Sequence, residues 1–287
     1  MEKIQDAIAK ARATRTDGSD MSADLSHSGG RVSDPAQETT PRITQQPAAQ
    51  ITKNWAALPA FAPKAAHLQR NRIVAFAPGR AATAFDVMRT RLLQQMRANG
   101  WRRLAITSPG PGCGKSMLAL NLAFSLGRQQ DQRSLIIDLD MRRPSMAKYL
   151  GISTEHSIAK VLDGTATLAD SAVRYGSNLA FASHHGAVPN SAELLQSTQG
   201  AAALDLISAT YDPTIMIFDM PPMQAGDDVM AFASRVDCVL LVAAAGDTTI
   251  SQVDTCERDL AAQTNVLGVV LNKCRYMTEE DSYGYYN

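Results

Sequence analysis

RRLAITSPGPGCGKSM, residues 102–117, decides how the chain folds. It opens with a short apolar run, RRLAITS (102–108). A turn with glycine at 110, 112 and 114 follows, and then KSMLALNLAFSLGRQ, which reads as a helix. In such a strand, turn and helix, backbone N–H groups can face inward around a phosphate and the helix adds its positive N-terminus. Gly114-Lys115-Ser116 matches the ending of the phosphate-loop pattern, although Pro109 stands where the first glycine is usual. The stretch therefore predicts a nucleotide site made of Gly110, Gly112, Cys113, Gly114, Lys115, Ser116 and Met117. Lys115 is expected to reach the β- and γ-phosphates, and the Ser116 hydroxyl to bind Mg²⁺. Cys113 is read as an inert small residue in the loop.

Outward from this stretch the same alternation continues. SLIIDLD (134–140), LAFAS (179–183), TIMIFDM (214–220), CVLLVAA (238–244) and VLGVVLN (266–272) are apolar runs of strand length, most of them separated by helical stretches such as DVMAFASRV. Runs of this kind predict an α/β fold, a parallel β-sheet flanked by helices on both faces. Ligands in such sheets sit at the carboxyl ends of the strands. There the chain places Asp138 and Asp140, which share one side of an extended segment, and Asp219. Phosphoryl transfer requires positioning and charge neutralisation, so a magnesium ion, a lysine and a few carboxylates suffice. One aspartate beside the phosphates can also accept a proton from an incoming hydroxyl.

The remainder of the chain is simpler. With 28 basic and 28 acidic residues among 287, no global field favours nucleic acid or an anionic membrane. The four cysteines form no metal-ligand spacing, so neither disulfide nor structural zinc is expected. The longest apolar runs are too short to span a bilayer, and a soluble, cytoplasmic chain is expected. Residues 1–15 place Ile4, Ala7, Ile8 and Ala11 at helical spacing, an amphipathic helix suited to surface fraying or to docking. Residues 16–71, rich in Ser, Thr, Gln, Ala and Pro, read as a disordered linker, and the folded domain as 72–275. His184 and His185 are read as surface loop residues.

LIIDLDMRRP (135–144) resembles the Walker A′ motif of bacterial tyrosine kinases, with D-x-D-x-R followed by R-P. Asp219-Met220-Pro221-Pro222 resembles their Walker B run, and GVVLNK (268–273) their nucleotide-base segment. VPNSAELLQS (188–197) is similar to a connecting motif usually written with a second proline, and DSYGYYN (281–287) to their terminal tyrosine cluster. The resemblance covers roughly residues 72–287 and implies a P-loop NTPase fold of the partition-ATPase-like type. It implies an ATP- and Mg²⁺-dependent autokinase that regulates exopolysaccharide polymerisation and export. Lys115 and Ser116 would hold nucleotide and metal, and Asp138 would act as base or metal partner. Asp140 would be a supporting acid, Asp219 a second metal anchor and Asn272 an adenine contact. Tyr283, Tyr285 and Tyr286, with Tyr276 left open, would be phosphorylated in trans. The implied partners are further copies of the chain, the cytoplasmic segment of a membrane polysaccharide co-polymerase, which would hold the chain at the inner membrane, and a tyrosine phosphatase.

Some positions depart from the family. Its E-x-x-R-x-x-R oligomerisation motif falls on TAFDVMR, where Thr83 and Asp86 take the first two places and only Arg89 remains. Met117 replaces a commoner threonine. Arg142 and Arg143 are expected either to steady phosphate charge or to bind a neighbour's acids. Alternative readings are a nucleotide-switched scaffold without kinase activity, or a partition or positioning ATPase. Against the last, Gly110 stands where those proteins carry an extra lysine.

Overall fold

A computed structural model describes residues 46–153 and 155–274. They belong to the compact unit that runs from Ile43 onward. The expected helix at 1–15 and the tail at 276–287 lie outside the described residues.

Seven strands form one sheet: β1 (Arg103–Thr107), β2 (Ser134–Asp138), β3 (Ala172–Tyr175), β4 (Leu179–Ala182), β5 (Ile215–Asp219), β6 (Cys238–Ala244) and β7 (Asn265–Asn272). Their order is β3-β4-β2-β5-β1-β6-β7, and every pairing is parallel except β3 with β4. The six sequence-read runs coincide with the parallel strands. β3 was not read from sequence. It is a four-residue edge strand, joined by the turn at Gly176 to β4.

Helices cover both faces, as a sheet buried on both sides requires. One face packs α2 (Ala65–Arg70), α3 (Thr83–Asn99), α4 (Lys115–Gly127) and α5 (Met146–Leu150) over Leu104, Ile106, Ile136 and Leu240. The other packs α1 (Ala48–Ala57), α6 (Ile158–Leu162), α7 (Ser191–Gln196), α8 (Thr198–Tyr211), α9 (Asp228–Ala233) and α10 (Ile250–Ala261) over Leu135, Ile137, Phe218 and Leu241. α4 is buried along almost its whole length, because it lies directly under the sheet and is covered in turn by α3. Gly127 ends it where a side chain would collide with Leu179, at 2.8 Å from a Cβ.

The linker reading is corrected over residues 46–71, and the folded unit does not begin at Arg72. α1 docks through Ile51 and Trp55, both buried, and the Trp55 indole N–H donates to the Tyr211 carbonyl at 2.6 Å. Leu58 closes the same contact and Phe61 N–H continues it, bonding the Arg174 carbonyl on β3 at 2.8 Å. A few large apolar anchors spaced along a polar background are enough to bury this segment, because each lands in a preformed hollow. Asn121 ties residues 72–75 to α4. It is fully buried, its Oδ1 accepts from Val74 and Ala75 N–H, and its Nδ2 donates to the Arg72 and Met117 carbonyls.

Candidate functional site

The order β2-β5-β1 brings three strand ends together. β5 lies between the strand that carries Asp138 and the strand that leads into the glycine turn, and Asp138 is directly in register with Asp219. The turn itself needs glycine at two places, Gly112 at φ 77° and Gly114 at φ 89°. Its path is fixed from the far side by β7: Asn272 Nδ2 donates to the Cys113 carbonyl at 2.9 Å. A Cβ on Gly114 would stand 2.4 Å from that same amide nitrogen. Asn272, expected at the adenine, therefore lies beside the loop, with one amide N–H bonded to the loop backbone. Cys113 is buried, with its thiol on the Gly110 carbonyl, which agrees with a packing residue. Met117 turns back on the helix, where its sulfur receives an Asn121 N–H at 3.3 Å.

Lys115 opens α4 and pairs with Asp140 across 2.7 Å. Burial pushes the Lys115 pKa down, but the charges of Asp219, Asp140 and Asp138 outweigh it and leave the ammonium more firmly protonated than usual. Asp138 is fully buried and accepts backbone N–H bonds from Asp140, Ser145 and Met146 at 3.1–3.2 Å. Burial first, then the neighbouring Asp219, raises its pKa well above the carboxylate range.

Asp219 is left without hydrogen-bond partners. It too is fully buried, and neither carboxylate oxygen has a hydrogen-bond partner. Burial lifts its pKa to about 6 against the pull of Lys115, while the Ser116 hydroxyl, near enough to lower that value, lies outside bonding geometry. A buried carboxylate with both oxygens free, beside a hydroxyl and a lysine, suits a hard cation carried in with phosphates. Among the described residues no group of three or more His, Cys, Asp or Glu could hold a metal by itself.

The segment after Asp219 was legible only in part. Its prolines carry it along the start of the loop, where Met223 N–H bonds the Ser108 carbonyl and Gln224 N–H the Pro109 carbonyl. Gln224 Oε1 would lie 3.4 Å from a Cβ on Gly110, so this side chain borders the phosphate loop. Reading the Pro-Pro run as forced extension could have found it.

Other expected residues fall elsewhere. Arg142 turns to α9, its Nε donating to Asp228 Oδ2 at 2.6 Å, whereas Arg143 is exposed. Arg89 is drawn inward, donating to Asp86 and to Ser125, and Arg128 joins the same Asp86 carboxylate. Arg89 thus tethers α3 to α4. His184 is corrected from surface to core: it is 3% exposed, and burial lowers its pKa. The tyrosines 276, 283, 285 and 286 lie outside the described residues.

One hollow lies away from this site. About 480 Å³ opens between Gly100, Arg103, Asp205, Pro213 and Asp237, at the amino ends of the strands. Arg103 there is already matched by Asp205 at 2.7 Å. No described helix is long and apolar enough to cross a membrane.

Comparison with known proteins places this geometry. The family described as the NUBPL iron-transfer P-loop NTPase, of ParA type, matches residues 101–285. Tyrosine-protein kinase ptk of Acinetobacter johnsonii is 31% identical over 172 residues, 59% of this chain and 23% of the relative. Tyrosine-protein kinase YwqD of Bacillus subtilis is 30% identical over 188 residues, 64% of this chain and 77% of the relative. The solved kinase domain of Escherichia coli tyrosine kinase ETK is 28% identical with a TM-score of 0.62, over 70% of this chain and 79% of that one. The chain spans about a quarter of the length of several of the curated relatives it matches.

Proposed function

Because the chain belongs to the bacterial tyrosine-kinase family, built on a ParA-type P-loop NTPase fold, we propose that it is an ATP-dependent protein-tyrosine autokinase. The observation that carries the reading is the convergence of Lys115, Asp138, Asp140 and the unpartnered Asp219 on one glycine turn. Mg-ATP, when bound, supplies the phosphoryl group and neutralises charge on it. The loop amides between Gly110 and Gly114 cradle the phosphates, and Lys115 leaves Asp140 for them. Ser116 and Asp219 hold the metal. Asp138 receives the tyrosine proton, and its raised pKa makes its ionised form a stronger base than an ordinary carboxylate. Asp140 keeps Lys115 oriented until nucleotide arrives.

The acceptors are Tyr283, Tyr285 and Tyr286 of another copy, with Tyr276 a fourth candidate. Three phosphotyrosines would add roughly five negative charges beside Glu279, Glu280 and Asp281 and loosen contacts between copies. The reading extends to a regulator of exopolysaccharide polymerisation and export. The cytoplasmic segment of a membrane co-polymerase would bring it to the inner membrane, and a tyrosine phosphatase would reset it.

Intact-mass spectrometry after Mg-ATP incubation, with and without a co-polymerase's cytoplasmic segment and beside Lys115→Met, tests the activity. Phosphate additions that map to the terminal tyrosines and vanish in the variant are expected. ATP hydrolysis with every tyrosine unmodified, even with that segment, would leave a nucleotide-switched scaffold or a positioning ATPase.

A further inference from the structure

Two bonds join the segment 188–191 to the loop that follows Asp140. Val188 N–H donates to the Met141 carbonyl at 2.9 Å. The second is relayed: the Ser191 hydroxyl donates to Asp228 Oδ1, and Asp228 Oδ2 accepts from Arg142 Nε at 2.6 Å. Asp228 is fully buried, and its carboxylate is used on both oxygens by these two side chains. The space around the guanidinium is tight, since a Cβ on Gly226 would stand 2.8 Å from Arg142 Nη2. Arg142 is thus fixed in one orientation, whereas a free arginine samples many rotamers.

The loop that Arg142 belongs to also shapes the carboxylate cluster. Arg143 N–H donates to Asp140 Oδ1 at 3.1 Å, and Ser145 and Met146 N–H hold Asp138. Holding Arg142 therefore fixes where Arg143 emerges. Arg143 is exposed on the rim of the acid cluster, and its guanidinium enters none of the ion pairs among the described residues. In the sequence, Glu279, Glu280 and Asp281 lie two to four residues before Tyr283.

We infer that Ser191 and Asp228 are positioning residues that hold the Arg142–Arg143 loop so that Arg143 receives the acidic residues preceding an acceptor tyrosine. The substrate class is a tyrosine peptide with carboxylates on its N-terminal side, the chemistry of this chain's own end in a second copy. This rests on the kinase reading above for its meaning. Ser191 is specific to the device, because a residue without a side-chain hydroxyl in its place has nothing to donate to Asp228.

The test uses the full chain in Mg-ADP with fluorescein-labelled peptides of residues 275–287. One peptide carries the native acids, and the other carries Gln at 279 and 280 and Asn at 281. Anisotropy should show the acidic peptide bound about 5- to 10-fold more tightly, the size of a charge-assisted contact at an exposed rim. Arg143→Gln should erase that gap, Ser191→Ala should shrink it, and Ser191→Thr, which keeps the hydroxyl, should restore it. In ATP, Ser191→Ala should raise the KM for the acidic peptide without moving the KM for ATP. Equal affinity for the two peptides, including no measurable binding of either, or a full gap retained in Ser191→Ala, overturns the inference. Phosphate transfer by the wild type is scored separately. Transfer without a gap sinks the inference and leaves the kinase reading standing, and a gap without transfer does the reverse.

Discussion

The two ends of the sheet handle polar groups in opposite ways. At the amino ends, Asp237 accepts two backbone N–H bonds, from Arg102 and Arg103, at 2.7 Å each, and the Asn178 amide bonds the Gln129 and Gln132 carbonyls. These polar groups close off strand starts and need nothing further. At the carboxyl ends, Asp138 and Asp219 sit side by side in register, and Asp219 has no partner at all. A fold tolerates such unfavourable burial where a ligand later relieves it. The partnered Asp237 and Asn178 thus mark architecture, and the fully buried, unpartnered Asp219 carboxylate marks chemistry.

The sharpest way to break this comparison is Asp219→Asn. Tyrosine transfer is expected to fall about 10²- to 10³-fold from loss of a metal anchor. Thermal unfolding of the ligand-free protein at pH 8 should move upward, because a desolvated charge has been removed. A lower melting temperature would show that the carboxylate is structural after all.

Trp55→Ala comes next. Removing this buried anchor of α1 should cost about 3–4 kcal/mol in urea unfolding, with the rate per folded molecule unchanged. If transfer fell in proportion, the amino end would not be mere architecture.

Stability of the ligand-free protein should also depend on pH in an unusual direction. Asp219 keeps its proton up to about 6 when folded, against 3.8 ordinarily. Between those values the native state holds more protons than the unfolded chain. The stabilisation is fully present below 3.8, falls as pH rises and is gone above about 6. The loss is about 2–3 kcal/mol from Asp219, with Asp138 acting in the same sense. Denaturant midpoints at pH 4.5 and 7 would read it, and saturating Mg-nucleotide should flatten the difference. A flat profile without ligand would remove the charge argument.

The smallest effect is at the opposite pole. Asp237→Ala strips two backbone donors of their acceptor and should cost about 1–2 kcal/mol, seen as a lower urea midpoint with unaltered nucleotide affinity.

What the sequence discloses follows the same division. The parallel strands and the acids that end them were legible because continuous apolar runs and a glycine turn are local signals. β3 was not, since four residues with one arginine carry no period that separates them from a loop. Residues 46–71 misled by composition: Ile51, Trp55 and Leu58 hold α1 in place, but their hollow is built by α8 and β3 more than a hundred residues later. Arg89 was read through a motif position, whereas its orientation depends on Ser125 across α4. His184 looked polar in a loop, yet β4 carries it inside. Asp228 and Ser191, 37 residues apart, meet only in three dimensions.

The bond from Asn272 to the Cys113 carbonyl spans 159 residues of sequence, and this has a consequence for the order of synthesis. The glycine turn is made early and its latch is among the last elements of the sheet to be made. At about 5–20 residues per second, the turn waits roughly 8–30 s for Asn272. Through that interval a nascent chain carries Lys115 and its acids without the strand that fixes the loop, so competence to grip a nucleotide is acquired late in translation.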